Sequence, residues 1–588
     1  MRSFPVKSFE RMATPKGTRA QRFLLKSGDA VHIFSNPQAI TLQLRREVGT
    51  EVALAVISFK AWAVLSGLLF VSTCRLQGGT NDVLVLNQRV GALYEQGRYK
   101  EALPVASNAL EVSQASLGSE NTNTAAALQN LADLHRQLAH YKQAEDLYRQ
   151  CLKVREKVPG PEDPQTAQTL RNLGELYRKT GDYAKGEAAA RKAIIIDEKI
   201  LGPEHVDTAS SLDRLGMLCL DEGIYDQSES LLQRSLNTRE RVLGTNDAAT
   251  ARSLEHLGEL HRVKGEYRRA EPLLEQALAI DERVLGREHP DTAETMVCLG
   301  AALHGSGYRA KAAQLNQGAL QLRQKVLGSE HPDTAVSINN EGARLSGMDE
   351  YGRAEELLQQ ALAIQERVLG PSHRSTIITE ENLGVTYLRM GDVVKARPLI
   401  EEVVEFRQKA FGANHPSTAE ALLFLANLEM RDRANRGSPR LEELYQRVLR
   451  INEQTLGRKS MYTANSLGYL AAFYRAKGDN ATAEPLMQQA VEVTEAAAGP
   501  DSPVAATKLT SLAIFYRFTD RPEKAIPLFE RALKIRETSL GWQDRETKTT
   551  SEDLEKLYIR TGDWAKLDAL HHQATNGSTT AASPAVRP

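Results

Sequence analysis

A nine-residue segment that returns every 42 positions constrains the fold of this chain more than any other feature. Residues 285–293 read LGREHPDTA, and residues 327–335 read LGSEHPDTA. The final alanine recurs at this interval along most of the chain, except for one step of 45 residues between Ala419 and Ala464. A period of this length indicates a solenoid, in which neighbouring units stack because no unit can bury its apolar face alone.

One unit of this period predicts two helices. In residues 251–293 the apolar residues form two groups, and their spacings of three and four are typical of one buried helical face each. Gly265 lies between the groups and is expected to end the first helix, because glycine adopts positive φ without steric cost. Pro272 falls in the first turns of the second helix, where a missing N–H does least harm. Asp291 or Thr292 is expected to cap the helix of the next unit.

Small residues recur at positions where two helices must approach closely. One such series begins Ala132, Gly174 and Gly216 and keeps the 42-residue phase. The repeats are predicted to occupy residues 84–574, as eleven units followed by a terminal half-unit. Residues 575–588 are rich in Ser, Thr, Ala and Pro and are predicted to form a disordered tail.

The motifs of one unit resemble those of a known repeat family. Residues 257–260 (LGEL), 265–267 (GEY), 270–273 (AEPL) and 277–278 (AL) are similar to the tetratricopeptide repeat. The added LGxxHPDTA segment resembles the 42-residue variant of kinesin light chain and nephrocystin-like proteins, which also occurs in bacterial proteins. The resemblance implies an all-α fold, a right-handed α-α superhelix (solenoid) of about eleven 42-residue helix-turn-helix repeats. It also implies a concave groove that binds proteins or peptides.

The two segments before the repeats differ from them. Residues 1–50 show no 42-residue phase, and residues 51–74 contain an apolar run that ends at Cys74. This run, 61–73, has about 13 residues, which is typical of a secretory signal and short of the roughly 20 that a transmembrane helix needs. We therefore expect a signal or anchor at 51–74. The sequence before Cys74 resembles a bacterial lipoprotein signal, in which this cysteine carries the lipid, so the protein is expected at the cell envelope, exported or membrane-anchored.

Other interpretations of these segments stay open. Thr73 stands where a lipoprotein signal usually has Gly, Ala or Ser. The alternatives are an uncleaved signal-anchor helix and a helix buried against the first repeat, and the second alternative would leave the protein in the cytoplasm. Because fifty residues before a signal are unusual, a further hypothesis is that translation begins at Val52 or Val56. Residues 1–50 would then not be translated.

Composition and motifs argue against several classes of function. The chain has 74 Lys and Arg residues against 75 Asp and Glu residues, and a net charge of −1 gives no electrostatic basis for nucleic-acid binding. It contains no Gly-Lys, no His-Glu-x-x-His and no Cys-x-x-Cys, so common phosphate and metal motifs are absent. Cys151 and Cys219 occupy packing positions, and the loop histidines are interpreted as turn and capping residues. We expect no catalytic residue, no metal and no cofactor, and hence no enzyme.

Two series of polar residues are predicted to face the concave side of the superhelix. One lies two residues before the small position of each first helix, and the other lies four residues after it. Asparagine amides can donate and accept hydrogen bonds along an extended peptide, and arginines bind carboxylates through two parallel bonds. The predicted peptide-binding residues are Asn130, Arg136, Asn172, Arg178, Arg214, Arg262, Asn340 and Asn382. The alternative is that the asparagines bond to neighbouring helices and that the arginines pair with nearby glutamates.

These observations together predict a protein–protein interaction scaffold. Its concave groove would bind partner peptides or proteins, and its N-terminal half would prefer an acidic or C-terminal peptide. The alternative function is a regulatory or sensor subunit of a membrane-associated assembly, brought to the membrane by residues 51–74. The sequence indicates neither the partner nor the oligomeric state.

Overall fold

The computed structural model describes residues 23–27, 30–34, 80–431 and 438–580. The chain divides into two compact units, Met1–Gly79 and Thr80–Pro588. In the first unit, strands β1 (Phe23–Ser27) and β2 (Ala30–Phe34) form an antiparallel hairpin, with Phe23 opposite Phe34. The sequence analysis does not predict this hairpin, because two five-residue strands carry too little periodicity to be recognised.

The segments that bear on localisation lie outside the described residues. They are residues 51–74 with the apolar run and Cys74. Of the predicted tail 575–588, residues 575–580 belong to the last helix, and residues 581–588 also lie outside the described residues. Among the helices that the structure describes, none is long and apolar enough to cross a membrane. Envelope localisation and lipidation of Cys74 therefore stay predictions.

The described part of the second unit contains 24 helices in twelve consecutive pairs, which confirms the all-α solenoid. The segment predicted as a terminal half-unit holds a complete pair. The first helices of the pairs are α1 (Thr80–Glu95), α3 (Thr122–Gln137), α5 (Pro164–Thr180), α7 (Val206–Asp221), α9 (Ala248–Val263), α11 (Pro290–Ser306), α13 (Pro332–Gly347), α15 (Arg374–Met390), α17 (Pro416–Arg431), α19 (Met461–Lys477), α21 (Pro503–Phe518) and α23 (Arg545–Thr561). The second helices are α2 (Tyr99–Leu117), α4 (Tyr141–Lys157), α6 (Tyr183–Ile200), α8 (Tyr225–Leu243), α10 (Tyr267–Val284), α12 (Arg309–Val326), α14 (Tyr351–Leu369), α16 (Val393–Phe411), α18 (Pro439–Thr455), α20 (Asn480–Ala498), α22 (Pro522–Leu540) and α24 (Trp564–Thr580).

The turn inside each pair and the packing across it follow the predicted pattern. Gly265 has a φ of 72° two residues after the end of α9, and Pro272 lies inside α10. A Cβ on Gly258 would meet Leu274 Cγ at 2.6 Å, so the small-residue position lets the two helices approach closely. Leu274 is fully buried, and burial of such a side chain contributes roughly 1.5–3 kcal/mol.

The cap of α11 differs from the prediction, which named Asp291 or Thr292. The capping residue is His289, whose Nδ1 accepts a hydrogen bond from the Asp291 backbone N–H at 3.1 Å. The Thr292 hydroxyl donates to the Gly286 carbonyl at 2.8 Å and closes the preceding loop. The prediction is wrong because Pro290 is favoured at the first helical position, which leaves the preceding residue as the cap.

The capping residues also join successive turns of the superhelix. His331 Nε2 donates to the Gln137 carbonyl at 3.0 Å, although 194 residues separate the two. His373 Nε2 donates to the Lys179 carbonyl at 3.0 Å in the same way. The start of α13 thus lies on the end of α3, and the start of α15 on the end of α5. These contacts join the second pair to the seventh and the third pair to the eighth. Because the offset is five pairs in both cases, one superhelical turn contains five pairs.

Replacing His331 by Asn should weaken the contact between turns and keep the helix cap. Asn121 caps α3 in this manner, but an asparagine side chain is too short to reach the Gln137 carbonyl. The loss of one neutral hydrogen bond costs about 0.5–1.5 kcal/mol. Hydrogen exchange of the amides at residues 134–140 should therefore become faster in His331→Asn.

His205→Asn is the matched control for this variant. His205 caps α7 in the first turn, its side chain is 45% exposed, and within the described residues its ring interacts only with Asp207. Exchange near α7 should stay unchanged in this variant. Equal effects of the two substitutions would contradict the role assigned to His331.

Protonation of the buried histidines should destabilise the contact between turns. Burial lowers the pKa of His331 and of His373, and burial together with the charge of Arg374 lowers the pKa of His415 to about 4. Nδ1 of each ring accepts the capping N–H, so a proton there would break the cap and place a cation at a helix N-terminus. Unfolded chains bind protons on histidine below about pH 6.5. The stability that these residues contribute is therefore complete above that pH and is lost as the pH falls toward 4.

The contribution of His415 is measured as the difference in unfolding free energy between the native chain and His415→Asn. This difference is needed because buried carboxyl groups oppose the trend: burial raises the pKa of Asp281 to about 6 and that of Glu380 to about 7. Urea unfolding should give a difference that shrinks between about pH 6.5 and about pH 5, by up to about 1.4 kcal/mol per pH unit. A difference that does not vary with pH would contradict the neutral state of His415.

Candidate functional site

The odd-numbered helices enclose two adjoining cavities. The first has a volume of about 590 Å³ and is lined by every odd helix from α1 to α15. The second has a volume of about 410 Å³ and is lined mainly by helices from α9 to α17. Arg262, Glu294, Cys298 and Arg374 line both cavities. Together the two cavities form the lumen of the superhelix.

Six of the eight predicted peptide-binding residues line this lumen. The linings do not include Asn130, whose side-chain nitrogen donates to Asn87 Oδ1 at 3.0 Å. They do not include Asn172 either, whose side-chain nitrogen donates to Asp133 Oδ1 at 2.9 Å. Both asparagines connect consecutive odd helices. The six residues in the lumen are Arg136, Arg178, Arg214 and Arg262 in the first cavity, and Asn340 and Asn382, again with Arg262, in the second.

The arginines of the first cavity are paired within the protein. Arg178 binds Glu175 through two bonds of 3.0 and 3.1 Å and bonds to Asp221 at 3.1 Å. Arg262 binds Glu259 through two bonds of 2.6 Å. These are the bidentate contacts that an arginine would otherwise make with a ligand carboxylate. An acidic ligand must therefore compete with carboxylates that the protein itself supplies.

The charges of the first cavity are balanced. Its lining contains eight Lys or Arg and eight Asp or Glu side chains. Glu175 lies between Arg178 and Arg214, which bonds to it at 3.0 Å. Although burial opposes ionisation of Glu175, the two guanidinium groups hold its pKa well below the usual range. The pairs therefore stay charged at neutral pH, and the cavity has no excess charge that would attract an acidic ligand.

These internal pairs are the alternative that the sequence analysis left open for the arginines, and the sequence contains a signal for them. In three odd helices a carboxylate precedes the predicted arginine by three residues, and side chains at this spacing are neighbours on a helix. The pattern therefore predicts pairing within the helix before any contact with a ligand. The three instances are Asp133 with Arg136, Glu175 with Arg178 and Glu259 with Arg262.

The second cavity combines free amide groups with apolar walls. Asn339 Nδ2 donates to Asn340 Oδ1 at 3.3 Å, and Asn339 Oδ1 accepts from Asn382 Nδ2 at 2.9 Å. Within the described residues, the side-chain nitrogen of Asn340 and the side-chain oxygen of Asn382 make no other hydrogen bond. Phe406 and Phe411 are among the apolar side chains of the wall. A donor and an acceptor on adjacent odd helices are what one peptide group of an extended ligand requires.

One group of side chains in the lumen has the composition of a metal site. The ligand atoms of Glu255, Glu294 and Cys298 all lie within 4.8 Å of one another, and among the described residues this is the only such group. The sequence analysis expects no metal and treats Cys298 only as a member of the first polar series. It missed the group because Glu255 and Glu294 lie on different helices and form no short motif. Cys151 and Cys219 are buried and free, at the packing positions expected of them.

A sequence model of the tetratricopeptide repeat matches ten segments of the chain. The matched segments are residues 82–157, 141–197, 165–241, 214–283, 250–317, 291–367, 345–409, 375–435, 440–496 and 462–538. Among proteins with curated descriptions, none matches this chain.

Solved structures of three other proteins are similar to parts of the chain. BtubC (BKLC) from P. vanneervenii is 23% identical, with 39% of this chain and 92% of that chain covered and a TM-score of 0.31. A putative kinesin light chain of Podosopora anserina with nearly identical TPR-like repeats is 25% identical, with 36% and 100% covered and a TM-score of 0.28. A Rap protein complexed with Competence and Sporulation Factor is 14% identical, with 64% and 98% covered and a TM-score of 0.43.

Proposed function

Because this chain belongs to the tetratricopeptide repeat family, we propose that it is a protein-interaction scaffold that holds an extended segment of a partner protein in its lumen. The observation that carries this proposal is the second cavity, where Asn340 and Asn382 lie beside apolar side chains. The scaffold is proposed to be non-catalytic and to bind no nucleic acid, in keeping with a net charge of −1.

The backbone of the partner segment is proposed to bind in the second cavity. The Asn340 side-chain nitrogen would donate to a carbonyl of the segment, and the Asn382 side-chain oxygen would accept from an N–H. The apolar wall with Phe406 and Phe411 would take up side chains that point away from the asparagines. Hydrogen bonds to the backbone provide affinity for many sequences, and the wall favours segments with apolar side chains.

Acidic side chains of the partner are proposed to bind by exchange in the first cavity. Arg178 and Arg262 each hold a carboxylate of their own helix. An incoming carboxylate gains a bond only when it replaces Glu175 or Glu259, so the net gain in free energy is small. The preference for acidic peptides predicted from the sequence thus becomes a modest one, and the main affinity is assigned to the second cavity.

This proposal is tested with peptides that are selected from a random display library for binding to the full native chain. The double variant Asn340→Ala/Asn382→Ala should weaken the selected peptides about tenfold, because two neutral hydrogen bonds contribute about 0.5–1.5 kcal/mol each. The matched control is Asn130→Ala/Asn172→Ala, at the same position of the repeat and outside both cavity linings. Affinities follow from isothermal titration, with helix content checked by circular dichroism. Failure to select any peptide, or equal loss in both variants, would contradict binding in the second cavity.

We also propose that the scaffold is located at the cell envelope through residues 51–74, which rests on the apolar run and Cys74 of the sequence. Cys74→Ser should block lipidation and release the chain from membranes. Intact-mass measurement of the native protein should find a mature chain that begins at Cys74 with added acyl mass. A native chain that retains residues 1–50 and has no acyl group would disprove this localisation mechanism.

A further inference from the structure

Buried polar side chains connect the odd helix of a unit to the even helix of the same unit, 26 residues later. In three units both side chains of such a connection are charged, and the two charges are opposite. This arrangement is expected, since a buried charge without a counter-charge costs several kcal/mol. The three pairs are Arg171 with Asp197 at 2.6 Å, Asp213 with Arg239 at 3.6 Å, and Glu381 with Arg407 at 2.6 Å.

The unit of α9 and α10 breaks this rule, because it has Glu255 and Asp281 at these two positions. Glu255 is 8% exposed and forms no ion pair within the described residues. Asp281 is 4% exposed, and its side chain accepts only the hydroxyl of Thr295 at 2.7 Å. Arg252 of the same unit pairs with Asp291 of the next helix. This unit thus buries two carboxyl groups, and within the described residues none of its cations forms an ion pair with either of them.

A thiol and a third carboxylate face the same point. Cys298 is 7% exposed, and its Sγ lies 3.8 Å from Glu255 Oε1. A sulfur and an oxygen bound to one tetrahedral zinc ion, at about 2.3 and 2.1 Å, stand roughly 3.6 Å apart. Glu294 bonds to Arg323 through Oε2, which leaves its Oε1 for another partner. Glu294 and Cys298 line both cavities, so an ion can reach them from the lumen.

We propose that Glu255, Glu294 and Cys298 bind a zinc ion, which supplies the counter-charge that the buried carboxyl groups of this unit lack. A thiolate with two carboxylates is a ligand set that zinc accepts, whereas Mg²⁺ and Ca²⁺ prefer oxygen ligands alone. On binding, the Cys298 thiol releases its proton to solvent, and the sulfur bonds to Zn²⁺ as a thiolate. Water, or a group bound in the lumen, completes the coordination. This site does not depend on the proposed binding of a peptide.

Zinc titration of the full chain, after treatment with a chelator, tests this site. Isothermal titration should give one ion per chain, with protons released in proportion. Cobalt(II) in place of zinc should show the charge-transfer absorption of a thiolate ligand. Cys298→Ser should lower zinc affinity at least tenfold and abolish this absorption. The control Cys151→Ser removes another buried thiol, which contacts the Ala125 carbonyl and Thr169, and should keep both properties.

A second variant separates loss of the ion from loss of the fold. Glu255→Gln removes one ligand and replaces the carboxyl group by a neutral amide of the same shape, so it should lower zinc affinity at least tenfold and leave the metal-free thermal midpoint unchanged or higher. Three results would overturn the proposal: no stoichiometric zinc on the native chain, equal zinc affinity in Cys298→Ser, or equal affinity in Glu255→Gln.

Discussion

Several helix pairs are held together where a leucine of the even helix packs against a residue of the odd helix that has almost no side chain, and at Gly384 the partner is Ile400 instead. A Cβ on Gly216 would lie 2.8 Å from Leu232 Cγ, and a Cβ on Gly342 would lie 2.8 Å from Leu358 Cγ. The close approach fixes how one pair is oriented, and the 42-residue period repeats that orientation along the chain. Because every pair adds the same rotation, the sixth pair returns to the first. The contacts between turns and the enclosed lumen both follow from this close approach of the two helices of a pair.

The parts of the fold that depend on neighbouring residues could be predicted from the sequence. The spacing of Leu254, Leu257 and Leu260 gives the buried face of α9, and Gly265 gives its end. Contacts between turns could not be predicted, because partners 194 residues apart leave no periodic trace in one sequence. The capping residue is the nearest signal, and it is incomplete: His331, His373 and His415 lie at this position in the second turn and Asp163 and Asp247 in the first, but His205 also caps a helix of the first turn.

The direction of the predicted site residues followed from helical periodicity, and so did the arginines' partners three residues earlier on the same helix, but partners on other helices did not. A period of 3.6 residues is enough to infer that Arg178 and Arg262 face inward. What each side chain bonds to depends on its neighbours on the same helix and on adjacent helices. Asn172, for example, reaches Asp133 of the preceding odd helix, so it serves the framework. A polar residue predicted on an inner face therefore indicates only where its side chain lies. Evidence for binding comes from the hydrogen-bonding groups of that side chain that stay free in the structure.

The capping residues also bear on how copies of the protein can associate. End-to-end association would set the first turn of one copy on the last turn of another, an open contact that can grow into fibres. A turn presents backbone carbonyl oxygens to the turn that follows, and His331, His373 and Ser460 meet them with N–H or O–H donors. Asp163 and Asp247 have carboxylates that accept hydrogen bonds and cannot donate them. At these two positions oxygen would face oxygen across the junction, which opposes end-to-end association, whereas the exposed His205 ring between them has an N–H that can donate.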